Sequence, residues 1–155
     1  MGQTGIRIMN TNTVAPSHRC EHGPYEYYKY AMTSRGEGQC TVAVYALPPG
    51  KANYPYHYHM GSEEIFYIIG GRGTMETPEG DESVKAGDVV VCPAGPEGAH
   101  RLVNTGGETL TYLDCDTLSD PEVVFYPRSE KVGITAGGRA RFYRTGDDVG
   151  YYEGE

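Results

Sequence analysis

The stretch Gly50–Gly71, GKANYPYHYHMGSEEIFYIIGG, governs the reading of the whole chain. Its tyrosines at 54, 56 and 58 and its run Ile65–Ile69 are the aromatic and β-branched types that suit a pleated surface. In a strand, alternate side chains share a face, so His57 and His59 point the same way and can reach one ion together. Met60, Gly61 and Ser62 are enough for a turn, after which Glu63 or Glu64 enters the next strand and folds back over the histidine pair. Two imidazoles and a carboxylate suit iron, manganese, nickel or zinc.

That first shell is incomplete, and Gly87–Asn104, GDVVVCPAGPEGAHRLVN, supplies the rest. A short apolar strand, Val89–Cys92, runs into a Pro- and Gly-rich turn and emerges at His100, with Leu102 and Asn104 following at period two. Three of the chain's five histidines sit in these two segments.

The two segments resemble the paired motifs of the cupin superfamily. The first motif reads Gly50, His57, His59, Glu64 and Gly71, and the second Gly87, Pro93, Gly95, His100 and Asn104. The second carries extra residues, Pro96–Ala99, before His100, and a frame through Pro96 and Gly98 fits instead with one residue fewer. The resemblance implies that His57, His59, Glu64 and His100 hold one divalent metal ion, Fe, Mn, Ni or Zn, inside a small double-sheet barrel. Glu63 is the rival ligand, because both acids satisfy the family spacing; the four-residue gap after His59 favours Glu64. Inward Glu64 brings Phe66 and Ile68 with it, whereas inward Glu63 brings Ile65, Tyr67 and Ile69. A strand apolar on both faces needs cover on both, which points to a second sheet on one side and a partner subunit on the other. PYHYH, PAGPEGAH, FYPRSEKVG and GDDVGYYEGE together are similar to small single-domain bacterial cupins of largely unassigned reaction, over about the last two thirds of the chain.

Outward from these motifs the chain reads as short β segments punctuated by 22 Gly and 10 Pro. Strands are expected at Ile6–Met9, Tyr25–Met32, Cys40–Leu47, Thr74–Thr77, Ser83–Ala86, Val89–Cys92, Ala99–Asn104, Leu110–Cys115, Glu122–Tyr126 and Arg141–Tyr143, with His18–Pro24 and Pro127–Lys131 as loops. Such spacing, without a convincing long amphipathic helix, predicts an all-β fold, an antiparallel sandwich or barrel. The resemblance makes this a double-stranded β-helix, the jelly-roll or cupin barrel. A single domain spans 1–155, with an N-terminal arm and loop at 1–24, the barrel with both metal motifs at 25–118, and C-terminal strands and tail at 119–155. Ordered packing of the tail is expected, since Tyr143, Tyr151 and Tyr152 are costly to leave in water.

Composition excludes several function classes. At 155 residues with a net charge of −8 and scattered basic residues, the chain is not a general nucleic-acid binder. No segment approaches the ~20 apolar residues that span a bilayer, and the N-terminus lacks signal-peptide features, so the expected location is the cytoplasm. Cys20, Cys40, Cys92 and Cys115 show no Cys-x-x-Cys spacing and read as thiols, Cys92 lying nearest the expected pocket rim. His18, Cys20 and His22 read as surface, Arg139, Arg141 and Arg144 as a solvated strand edge, and the 14 tyrosines as packing.

Three imidazoles and one carboxylate leave roughly two positions open on a six-coordinate ion, the mark of a reactive centre rather than a structural one. Tyr56, Phe66, Ile68 and Leu102 are the expected pocket lining. The sequence therefore points to a metal-dependent enzyme on a small polar molecule, by dioxygenase, isomerase or lyase chemistry, probed best by metal content. A non-catalytic cupin that binds a small ligand, as sensor or storage module, is the rival. A homodimer is expected. No catalytic residue beyond the metal ligands is assigned.

Overall fold

A computed structural model describes residues 5–155 and is almost entirely antiparallel β. Thirteen strands follow one another: β1 His18–His22, β2 Tyr25–Ala31, β3 Cys40–Leu47, β4 Tyr58–His59, β5 Glu64–Gly70, β6 Arg72–Thr77, β7 Gly80–Lys85, β8 Val89–Cys92, β9 Arg101–Val103, β10 Leu110–Thr117, β11 Glu122–Tyr126, β12 Lys131–Ala136 and β13 Arg139–Arg144. Among the described residues helical structure is confined to short 3₁₀ turns at Pro96–Gly98 and Pro127–Ser129, and no helix is long and apolar enough to cross a membrane. The strands form a six-stranded sheet in the order β1-β2-β3-β10-β5-β8, a four-stranded sheet β13-β12-β11-β4 and a three-stranded sheet β7-β6-β9. Neighbours in the sheets are far apart in sequence, as when β10 lies between β3 and β5. This is the jelly-roll arrangement.

Two local readings are corrected. Ile6–Met9 forms no strand: Ile6 and Ile8 are almost fully exposed, with no neighbouring strand to pair with. His18–His22, read as a loop, is instead a strand, paired along its length with β2 from His18 opposite Lys29 to His22 opposite Tyr25. Its polar alternation lacks an apolar face of its own, but the long aromatic strand β2 presents a free edge, and ladder hydrogen bonds recruit it. The unforeseen strand β12 likewise forms between β11 and β13. The tail does not pack: Tyr151 and Tyr152 lie 88% and 81% exposed.

The core lies between the sheets and contains Tyr27, Tyr45, Leu47, Phe66, Ile68, Met75, Leu102, Leu110 and Tyr112. Its aromatic centre is a parallel stack of Tyr45 on Tyr112, with ring centroids 5.1 Å apart and planes 5° from parallel. Burial pushes the phenol pKa values of both upward, so they enter the core neutral. Their hydroxyls are partnered, as buried polar groups must be. Tyr45 Oη lies 3.0 Å from Tyr54 Oη, and Asn53 Nδ2 donates to Tyr112 Oη at 3.1 Å.

The motif glycines have backbone work to do at two points. Gly71 takes φ +79, and a Cβ there would meet Thr109 O at 2.6 Å, where β5 turns into β6. A Cβ on Gly98 would lie 1.8 Å from Pro93 O, so only glycine lets the turn after β8 close so tightly. Asn104, fully buried, donates from Nδ2 to Leu47 O and Glu108 O, both at 2.8 Å, and accepts from Gly106 N at 3.0 Å. The end of the second motif is thereby tied to β3.

Candidate metal centre

The turn Met60–Glu63 brings β4 and β5 together, and the parity of β5 follows from burial. Glu64, Phe66 and Ile68 are buried; Glu63 is exposed, and Tyr67 and Ile69 are nearly half exposed. His100 reaches the same place by a backbone bridge. His57 N donates to His100 O at 3.1 Å and His100 N to His57 O at 2.9 Å. The extra residues before His100 are absorbed by the 3₁₀ turn Pro96–Gly98.

Nε2 of His57, His59 and His100 lies 3.6, 3.4 and 3.0 Å from the same oxygen, Glu64 Oε2. His57, Glu64 and His100 are buried, and His59 is largely so. The donor atoms of His57, His59 and Glu64 all lie within 4.8 Å of one another. His57 Nδ1 is 2.8 Å from Pro55 O, and His100 Nδ1 is 2.8 Å from Gly98 O. A carbonyl only accepts, so each Nδ1 carries a hydrogen, and Nε2 is the ring nitrogen left facing Glu64. An unprotonated Nε2 facing a carboxylate oxygen at this range needs a positive charge between them, a proton or a metal ion. Consistently, Glu64 Oε2 and His100 Nε2 are buried without a well-formed hydrogen bond. The donor set therefore fits a divalent metal ion, with the backbone carbonyls fixing the tautomers behind two of the ligands.

The titration behaviour of the bare cluster carries the same demand for positive charge. Burial opposes ionisation of Glu64, but contacts with His100 and His57 outweigh it and hold the carboxyl well below its ordinary range. Burial works against a charged His100, yet the neighbouring Cys92 thiol and Glu64 raise it well above an ordinary imidazole. Burial pushes His59 downward, with Glu64 pulling the other way.

Glu122 was not foreseen. It is 1% exposed, and Oε2 lies 3.9 Å from His59 Nδ1. Its carboxylate accepts from Gly61 N and Val123 N, each at 3.0 Å, and from Ser62 Oγ, so it clamps the turn between β4 and β5. The alternation in EVVFY, with Glu122 and Val124 inward, was the signal available.

Of the expected pocket lining, Phe66, Ile68 and Leu102 are 1%, 0% and 0% exposed and pack within the core, Phe66 and Ile68 on the same face of β5 as Glu64. Tyr56 lies outside that core, with the Arg128 guanidinium carbon 4.1 Å above its ring. Arg128 also reaches Glu76, which accepts a two-point contact from Arg101 at 2.9 and 2.6 Å. Burial opposes ionisation of Glu76, and the two guanidiniums outweigh it, so its pKa is lowered. A lowered carboxylate stabilises the fold above its unfolded pKa and loses that contribution as pH falls. Glu76→Gln is expected to cost about 1 kcal/mol at neutral pH, and the cost is expected to vanish as pH falls through the lowered folded-state pKa of Glu76, read from paired melting curves.

Exchanging the two acids of the doublet separates their roles. Glu64→Gln is expected to weaken metal binding by on the order of a hundredfold, since it removes the only charged ligand, while Glu63→Gln leaves the dissociation constant within a factor of about two. Isothermal titration with zinc reads both; equal losses would show that the register of β5 does not govern the site.

Comparison with known proteins places these observations. Residues 43–116 match the family model described as Cupin domain. The chain is 39% identical over 101 residues to the glucose-6-phosphate isomerase of Thermococcus gammatolerans, covering 57% of this chain and 52% of that protein. It is 39% identical over 67 residues to the oxalate-binding protein of Thermotoga maritima, covering 43% and 53%. The chain thus spans about half the length of these curated relatives. Among solved structures it superposes on a sugar phosphate isomerase of the cupin superfamily from Silicibacter pomeroyi with a TM-score of 0.80 at 19% identity, covering 91% of this chain and 94% of that one.

Proposed function

We propose that the chain, whose residues 43–116 match the Cupin domain model, is a metal-dependent enzyme that isomerises a small, hydroxylated carbonyl compound at the His57, His59, Glu64 and His100 centre. The observation that carries this is the convergence of three imidazole Nε2 atoms on one buried carboxylate oxygen, Glu64 Oε2. Such a donor set would hold one divalent ion, Fe, Mn, Ni or Zn, which when bound supplies Lewis-acid polarisation of a substrate oxygen. The chain's own contribution is positional. Pro55 O and Gly98 O hold two rings with Nε2 turned toward the site, Glu64 supplies the negative charge, and the packed side of the barrel formed by Phe66, Ile68 and Leu102 excludes water from behind the ligands.

Similarity to a glucose-6-phosphate isomerase favours isomerase over dioxygenase or lyase chemistry. A phosphorylated aldose is therefore the first substrate to try. The full chain, freed of metal and reloaded with manganese, zinc, nickel or iron, would be incubated with it and followed by NMR for the ketose. Ion-dependent conversion supports the proposal, whereas oxygen uptake with iron and no ketose would move the chemistry to a dioxygenase. A ligand-induced rise in melting temperature without turnover would favour the second reading, a small-ligand-binding module, which similarity to an oxalate-binding protein supports. Under either reading we take the active form as a homodimer. Tyr67, Ile69, Val89 and Val91 form an exposed apolar row on the outer face of β5 and the edge strand β8, suited to a second copy. A monomer in analytical ultracentrifugation would remove that part.

A further inference from the structure

On the inner face of β10, Asp114 and Asp116 follow Tyr112 at period two. Asp116 pairs in register with Glu64 on β5, and Asp114 with Phe66, so both aspartates sit on the β10 side of β5, opposite the edge strand β8. Carboxylate oxygens of Glu64, Asp114 and Asp116 all lie within 4.8 Å of one another. Asp114 is 5% exposed, and Oδ1 of both aspartates is buried without a hydrogen-bond partner. The other oxygen of Asp116 is fixed by Thr41 Oγ1, which donates to Oδ2 at 3.2 Å and leaves Oδ1 as the free acceptor.

Three clustered carboxylates need countercharge, and the protein supplies little. Among the described residues no Lys, Arg or His makes an ion pair with Asp114 or Asp116. The nearby Lys29 ammonium is placed 5.2 Å over the Tyr45 ring instead. Burial of unpaired carboxylates is costly, and an all-oxygen, multiply charged cluster is what hard divalent cations take. Both aspartates line a cavity of about 330 Å³ with Lys29, Thr33, Arg35 and Thr41, which gives an ion and its waters a way in.

We propose that Asp114, Asp116 and Glu64 form a second cation site, all oxygen, for a hard divalent ion such as manganese or magnesium, adjacent to the histidine centre. The site goes beyond the proposed isomerase reading and shares only Glu64 with it. The test is equilibrium dialysis of the full chain against manganese near neutral pH, with elemental analysis of the bound ion and electron paramagnetic resonance. Wild type is expected to bind two ions per chain with a spectrum broadened by their proximity. Asp114→Asn, nearly isosteric, keeps one ion and gives the resolved spectrum of an isolated one; Asp116→Asn does the same and guards against a folding defect in the first variant. His57→Ala/His59→Ala also keeps one ion, now at the carboxylates. Saturation of wild type at one ion that Asp114→Asn does not touch would overturn the proposal, as would two ions retained in both aspartate variants. A single ion that the aspartate variants lose and the histidine variant keeps would instead remove the histidine centre and leave this site standing.

Discussion

His57→Ala/His59→Ala, titrated with zinc against a chromophoric chelator, is expected to lose affinity by on the order of a thousandfold or more relative to wild type. Two of four donors go, and with them much of a binding free energy that reaches roughly 10 kcal/mol or more for tetrahedral zinc sites. Zinc is the probe of choice because it seeks imidazole over an all-carboxylate cluster. The loss should also be visible in stability. Ligand at about a hundred times its dissociation constant stabilises a fold by about 2.7 kcal/mol, which for a chain of this size is roughly a 5–10 °C rise in melting temperature. That rise should be present in wild type and absent in the variant. His100→Ala should match the double variant in direction, because its backbone bridge to His57 and its Nδ1 contact with Gly98 O place its Nε2 nearest to Glu64. An unchanged zinc affinity in either variant would refute the centre.

Phe66→Ala is expected to cost about 3–5 kcal/mol in urea unfolding, or roughly 10–15 °C in melting temperature. Phe66 is 1% exposed, with its ring tilted 69° against His100 and 81° against Tyr112 at centroid distances of 5.4 and 5.3 Å. Truncation therefore opens a cavity between the tyrosine stack and one metal ligand. Metal affinity should fall as well, though far less than on loss of a histidine, because the His57 bridge still positions His100. Were Phe66 a pocket wall instead, truncation would leave the unfolding midpoint within about a degree and alter ligand affinity alone.

The clustering of His57, His59 and Glu64, which could hold a metal ion, and the barrel were legible because both depend on local spacing. His57 and His59 at period two, the turn at Met60–Ser62 and the apolar run after Glu64 fix one face of β4 and β5 whatever surrounds them. What escaped depends on contacts far along the chain. His18–His22 is a strand only because β2 offers an edge, and nothing in HRCEH announces it. Phe66, Ile68 and Leu102 were correctly turned inward, but whether an inward side chain meets a cavity or another side chain is decided by residues on opposite sheets. Glu122 and the Asp114–Asp116 pair lie outside both motifs. Only the register of β10 against β5, and of β11 against β4, carries them to the histidine centre.

The stacked tyrosines have a practical consequence. The chain holds 14 tyrosines and no tryptophan, so its ultraviolet emission and near-ultraviolet circular dichroism come chiefly from phenol rings. Tyr45 and Tyr112, parallel and 5.1 Å apart, are close enough for their electronic transitions to couple, and Phe66 joins that stack to His100. The optical signature of the stack therefore reports on the wall behind the metal ligands. Loosening of the barrel, or quenching by a bound transition metal, can be followed in the unlabelled protein without introducing a dye.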